Sequence, residues 1–223
     1  MLAKKLVNKD FKPLEPSSSV SAALAKMDAW QTSNIPVLEP ETQTIIGHVQ
    51  FDDLAKVVDE TVPISDLDIR FPIYAYVDQH IFEIARKMLH HEIRILAVTD
   101  RNGVFIGIIE KRDVLESLSN MLNITTSGSV ITVHMLRSDF TLAKLVHLIE
   151  SEGAKILGLT VEQPNNNNDV MIQVSLKLSH EDTSAIVSSL ERHGYIAATE
   201  NRDDILQIDL TTRADELMRY LEL

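Results

Sequence analysis

Apolar positions along the chain alternate between stretches of helical spacing and short continuous runs. Val20, Ala23, Leu24 and Met27 share one face at a 3.6-residue period, as do Ile81, Ile84, Ala85 and Met88. Leu142, Leu145, Val146 and Ile149 make a third stripe, and Ile186, Val187 and Leu190 a fourth. These stripes predict helices from residue 20 and over 81–90, 141–152 and 182–193, the first capped by a hydroxyl of residues 17–19. Gly153 and Gly194 follow the last two as C-terminal stops. Shorter helices are expected over 52–58 and 113–120. Continuous apolar runs predict strands at 35–38, 44–49, 72–76, 96–99, 104–109, 130–135, 155–162 and 195–199, and residues 171–178 alternate with period two. Residues 1–7 read as a short helix or an arm, and 11–16, with two prolines, as extended chain. Residues 164–169 hold four asparagines and read as a solvated hairpin loop.

The first part of this pattern occurs twice. Val20, Leu24, Met27 and Ile35 match Ile81, Ala85, Met88 and Leu96 sixty-one positions later. After a one-residue shift, Ile46-Gly47-His48-Val49 matches Ile106-Gly107-Ile108-Ile109, and the match ends at Asp53-Leu54 and Asp113-Val114. Each copy reads strand, helix, strand, strand, helix, with residues 61–70 as the connection. Two copies suit a pseudo-symmetric pair with a ligand cleft between them better than a solenoid. Met27 and Trp30 are expected in the core between the copies. The pattern changes near Asn123, and 125–129 reads as a linker. Beyond it the order strand, helix, strand, strand, helix, strand is a split βαβ, ferredoxin-like unit over 129–199. A last strand at 205–210 and helix at 212–221 form an extension, 200–223, too small to fold alone.

Composition narrows the function. With 44% apolar and 24% charged residues, 223 positions suffice for one to three ordinary globular domains. A net charge of −12 argues against broad nucleic-acid binding, which needs Lys and Arg on phosphates, yet one nucleotide needs only a local cluster of donors. No apolar run approaches the roughly 20 residues of a membrane span. Residues 1–10 do not resemble a signal peptide, so a cytoplasmic location is expected. The chain has no cysteine, hence no disulfide, thiolate metal site or cysteine nucleophile. It also lacks a glycine-rich phosphate loop, a nucleophile elbow and a zinc-helix motif, so no enzyme, required cofactor or metal site is expected. His90-His91-Glu92 near a helix end reads as solvated or capping.

The repeat resembles the CBS domain family, and the pair a Bateman module. The resemblance rests on Ile35-Pro36-Val37-Leu38 through Gly47-His48-Val49-Gln50-Phe51-Asp52-Asp53, and on Leu96-Ala97-Val98-Thr99-Asp100 through Gly107-Ile108-Ile109-Glu110-Lys111-Arg112-Asp113. Residues 129–199 are similar to an ACT domain. The order of the whole resembles the acetoin-utilisation group of CBS proteins. The expected fold is therefore α+β: CBS repeats at 1–60 and 61–122, packed with pseudo-two-fold symmetry, then a ferredoxin-like βαββαβ (ACT) domain at 129–199 and the extension 200–223.

What the resemblance implies is an adenosine-nucleotide site: AMP, ADP, ATP or another adenosyl ligand. In the family a Ser or Thr after the glycine meets a phosphate and an Asp three residues on holds the ribose. A carboxylate can accept from two vicinal hydroxyls, and the helix N-terminus beside it favours an anion. Asp53 and Asp113 fill the ribose positions, but Gln50 and Glu110 replace the hydroxyls. Glu110 would repel a phosphate, while Lys111 and Arg112 partly compensate. The adenine slot would draw on Ile73, Tyr74, Ile93 and Arg94 in the second copy and on Leu14 and Ile35 in the first. The same residues can equally be plain core, and the two aspartates plain helix-dipole partners worth about 0.3–1 kcal/mol. In ACT domains an amino acid binds at the loop after the first strand, here Arg137, Ser138, Asp139 and Phe140. Phe140 stands where the family has a glycine and would obstruct that pocket. The expected function is a regulatory sensor and homodimer, its ACT unit a dimeriser or second sensor, acting on a separate, unidentified protein. The alternative is a structural or interaction module with degenerate sites.

Overall fold

The computed structural model describes residues 1–162 and 171–199. The asparagine-rich loop and the C-terminal strand and helix expected above lie outside the described residues. The chain divides into two compact units, Met1–Leu118 and one beginning at Ser119.

The first unit contains both copies. Ser19 caps α1 (Val20–Ala29) by accepting from the Ala22 N–H at 3.2 Å. The strands β1 (Asn34–Glu39) and β2 (Thr44–Gln50) pair antiparallel and lead into α2 (Phe51–Leu54). In the second copy β3 (Tyr74–Tyr76) pairs parallel with β4 (Ile95–Thr99), and β4 antiparallel with β5 (Phe105–Glu110). Helix α3 (Ile81–His90) lies between β3 and β4, and α4 (Lys111–Met121) follows β5. The first strand of copy one is reduced to a single parallel bridge, Leu14 to Val37. Helix α2 is shorter than the expected 52–58. The chain leaves it in a turn closed by Asp59, whose carboxylate accepts from the Thr61 N–H and hydroxyl, and Val58 is left 99% exposed.

The copies exchange their leading segments. A 3-10 turn at Ala3–Lys5 buries Ala3 among Ile81, Ile84, Met88 and Leu96 of the second copy. The matching turn at Ile64–Asp66 buries Ile64 among Phe11, Val20, Ile35 and Leu54 of the first. The bridges obey the same symmetry: Ser19 pairs with Pro63 and Leu2 with His80, while Arg70 pairs with His48 and Asn8 with Ile108. Met27 is buried in the first core, where Ile95 and Ile108 of the second copy join it, and Trp30 packs edge-on to Phe11 at 5.0 Å. Each fully buried aliphatic of these cores contributes roughly 1.5–3 kcal/mol.

The second unit is a βαββαβ fold. Strands β6 (Ser129–Leu136), β7 (Ile156–Glu162), β8 (Met171–Leu178) and β9 (Ile196–Thr199) form one antiparallel sheet in the order β7-β8-β6-β9. Helices α5 (Leu142–Ser151) and α6 (Ser184–Arg192) cover one face over Ile131, Val133, Val174 and Leu176. Gly153 and Gly194, at φ +83° and +84°, end them in the left-handed conformation that glycine adopts without penalty.

The exchange depends on two glycines. A Cβ on Gly107 would run into the Asn8 carbonyl, and one on Gly47 into the Arg70 carbonyl. Gly107→Ala should therefore destabilise the first unit by about 1–3 kcal/mol. Urea unfolding followed by fluorescence of Trp30, the single tryptophan and a residue of that unit, measures this. An unchanged midpoint would show that the close approach is unimportant.

Candidate functional site

The two half-sites differ in what faces their aspartates. In the first, Asp53 stands in the first turn of α2 and is engaged by Arg70, whose Nε and Nη2 both lie 2.8 Å from Oδ2. Lys56 adds a looser contact at 3.6 Å. Asp53 and Arg70 are both partly exposed, so the pair is worth at most about 1 kcal/mol, but it occupies the carboxylate. In the second, Asp113 stands in the first turn of α4, and its ion-pair partner among the described residues is the neighbouring Arg112 at 3.9 Å. The backbone position that Arg70 fills in the first half-site is filled in the second by Asn8, which is neutral and accepts from the Asp10 N–H through its own side chain.

The strand-to-helix junctions are built alike. The Phe51 N–H donates to Ser33 O at 2.8 Å, and the Lys111 N–H to Arg94 O at 2.7 Å. Gln50 and Glu110, the last residues of β2 and β5, are half-buried, and Lys111 and Arg112 are exposed.

The other expected residues scatter. Leu14, Ile35 and Ile93 are 0–2% exposed and belong to the cores, so their side chains offer no surface to a base. Ile73 is half-buried against the second core. Tyr74 is half-buried at the start of β3, packed edge-on to Tyr76 at 5.7 Å, and its carbonyl accepts from Lys87 Nζ at 2.6 Å. Hydrogen bonding with Tyr76 and its nearby charge raise the Tyr74 phenol above its ordinary value. Arg94 reaches across to the first copy, where Nη1 donates to Gln31 O at 3.1 Å. There it lines a cavity of about 360 Å³ with Leu24, Met27, Asp28, Gln31 and Phe51. Of its walls the sequence pointed to Arg94 alone, and that for the second copy's slot, because Leu24 and Met27 sit on the stripe that periodicity assigns to the core and the contact of Arg94 with the first copy leaves no local pattern.

In the ACT-like unit Arg137–Asp139 form a 3-10 turn after β6. Ser138 donates to Asp139, and Phe140 packs against the core of Ile131, Leu145 and Ile149. Among the described residues no group of three or more His, Asp or Glu is placed to hold a metal, and no helix is long and apolar enough to cross a membrane.

His48 on β2 is an unforeseen feature. It is 5% exposed, Nδ1–H donates to Phe71 O at 2.7 Å, and Nε2 is buried without a partner among the described residues. Burial pushes its imidazole below the ordinary histidine value. The Phe71 carbonyl opposes the shift, Arg70 and His91 add to it, and Asp53 opposes it.

Comparison with known proteins places this geometry. Residues 64–120 match the CBS domain family model. A solved CBS domain pair/ACT domain protein of Thermotoga maritima is 26% identical, with a TM-score of 0.50, over 55% of this chain and 99% of that one. Two curated relatives match about half of the chain: homoserine O-acetyltransferase of Methanococcus vannielii, 25% identical over 123 residues, and inosine-5'-monophosphate dehydrogenase of Methanocaldococcus jannaschii, 26% identical over 114. The chain spans about a quarter of the length of these two relatives, 25% and 23%. The fold is a tandem CBS domain pair followed by an ACT-like domain.

The buried His48 makes the first unit sensitive to acid. Its folded-state value is depressed, so the unfolded chain takes up the proton first. This contribution to stability is intact above about pH 6.5 and is lost as the pH falls through the folded value. The melting temperature read at Trp30 should fall between pH 7.5 and 5, and His48→Asn should flatten the fall. Equal slopes in wild type and variant would rule His48 out as the cause.

Proposed function

We propose that the chain is a non-enzymatic regulatory module that senses an adenosine nucleotide or a related adenosyl ligand at the second half-site of its CBS pair. The observation that carries this reading is the asymmetry of the aspartates. Asp53 is taken up by Arg70, whereas Asp113 keeps its acceptor oxygens for ribose hydroxyls. Support also comes from the exposed Lys111 and Arg112 beside Asp113, and from its place at the N-terminal turn of an eleven-residue helix. Glu110 ends the preceding strand and disfavours additional phosphates, so AMP or adenosine is preferred to ATP. The output passes to a separate regulated protein. The ACT-like domain serves dimerisation or a second ligand, and Phe140, packed on its core, favours the former. The competing reading, an interaction module with degenerate sites, is favoured by Gln50, Glu110 and Phe140.

Calorimetric titration of AMP, ADP and ATP, with and without magnesium, separates the two. AMP should bind wild type more tightly than magnesium-free ATP. Asp113→Ala should weaken AMP by about 1.5–3 kcal/mol and Asp53→Ala by clearly less. Glu110→Thr should improve ATP relative to AMP, since it removes a like charge a few ångströms from the phosphates. Absence of binding to all three nucleotides favours the interaction module.

We also propose a homodimer. The ferredoxin-like sheet ends in β7 and β9, whose outer edges call for cover. Light scattering should give about twice the 25.0 kDa of one chain, and a monomer mass at micromolar concentration would refute the dimer.

A further inference from the structure

We propose that the helix-free face of the ferredoxin-like sheet carries a second small-molecule site, selective for an aliphatic monocarboxylate without an amino group. The strand register builds it. Gly158, Lys177 and Val130 form one row across β7, β8 and β6, and Thr160, Ser175 and Thr132 the next. Their side chains point away from the helices, because the alternate residues Ile131, Val133, Val174 and Leu176 fill the helix-side core. The segment after α4 runs across this face. Asn123 Nδ2 donates to Leu157 O at 2.7 Å, and a Cβ on Gly158 would stand 2.7 Å from Leu122 O. A side chain at 158 would push the segment off the sheet.

Under this strap lies a cavity of about 290 Å³, lined by Leu122, Ile124, Val130, Thr160, Ser175 and Lys177. Lys177 is the one charged side chain among its described lining residues, in a chain of net charge −12. Its Nζ donates to Gly128 O at 3.1 Å, which fixes the ammonium and leaves two N–H groups. Ser175 lies one row along on the same face, about 7 Å away by strand rise, with Thr160 as its partner on β7. Lys177 can therefore give a carboxylate a charge-assisted N–H at the Gly128 end of the cavity, while Thr160 and Ser175, whose hydroxyl lies 3.4 Å from Thr132 Oγ1, line the next row. Leu122, Ile124 and Val130 provide apolar walls for a hydrocarbon body. An amino acid fits poorly, because no carboxylate lines the cavity among the described residues and its ammonium would lose water without gaining a counter-charge. The site is separate from the 137–140 loop and does not depend on nucleotide binding.

Hexanoate, norleucine and hexan-1-ol probe these terms, since they share a comparable chain and differ in charge. Calorimetry on the full chain should show saturable hexanoate binding at least tenfold tighter than that of the other two. Lys177→Met should weaken hexanoate at least tenfold and Lys177→Arg less. Val130→Phe, which fills the cavity and leaves the charge, should weaken hexanoate and hexan-1-ol alike. Should Lys177→Met fail to fold, Lys177→Gln, which keeps a donor for the Gly128 carbonyl and removes the charge, and Val130→Phe carry the test. Absence of saturable hexanoate binding, equal affinity for norleucine, or hexanoate affinity unchanged in the folded variants would overturn the proposal.

Discussion

Two stretches of backbone lie against two strands at a separation that leaves no room for a side chain. Residues 69–70 lie on β2 at Gly47, and 7–8 lie on β5 at Gly107. Everything distinctive about the first unit depends on this approach. It allows each copy to send its leading turn into the core of the other, so neither copy completes a core alone. Ile64 is buried in the first core and Ala3 in the second, and removing either segment would expose aliphatics that are now 0–1% accessible. The second repeat identified as a family match, residues 64–120, thus includes a turn whose packing partners belong to the first.

The same approach sets the chemistry of the half-sites. Backbone pairing fixes which side chain arrives beside each aspartate, and the sequence supplies different ones. Arg70 arrives at the first half-site and closes on Asp53, while Asn8 holds the corresponding backbone position at the second. The Arg70 guanidinium thus distinguishes two sites whose strand-to-helix junctions are built alike. One becomes an ion pair that ties the inter-repeat connection to α2, and the other keeps a carboxylate at a helix N-terminus whose ion-pair contact among the described residues is the looser one to Arg112 at 3.9 Å.

Much of this architecture was legible in the sequence, for identifiable reasons. Helix α3 and strand β8 fall on the expected residues because their apolar periods are complete. The repeat was legible because Met27, Ile35 and Gly47 and their counterparts do the same packing in both copies. The ends of α1 and α3 carry no glycine signal. Gln31 and Glu92 take the positive φ values there, +48° and +54°, in residues not specialised for them. The exchange was not legible, because it is made through single-residue bridges that leave no periodicity. Leu14, Ile35 and Ile93 were indistinguishable in sequence from slot residues, since an apolar residue lining a ligand and one lining a core obey the same pattern. The Arg70–Asp53 pair joins residues seventeen apart across a connection, and no local pattern announces it.

Pseudo-symmetry also separates what the fold requires from what it merely tolerates. Among the described residues two buried side-chain polar atoms lack partners, His48 Nε2 and Thr99 Oγ1. Each such atom costs about 1–3 kcal/mol. In the other copy the position of His48 is taken by Ile108, which is fully buried, and that of Thr99 by Leu38, which is 7% exposed. Both hairpins keep the same irregularity, between Val37 and Leu38 and between Val98 and Thr99, so the backbone is indifferent to the exchange of Thr for Leu. The scaffold therefore accommodates an aliphatic at either place, and neither polar group is needed to build it. His48 additionally grips the Phe71 carbonyl, directly beside Arg70, so its cost is spent on holding the inter-repeat connection where Arg70 meets Asp53. Thr99 Oγ1 makes no such contact among the described residues, so its buried hydroxyl is a cost the scaffold tolerates and not a contact it uses.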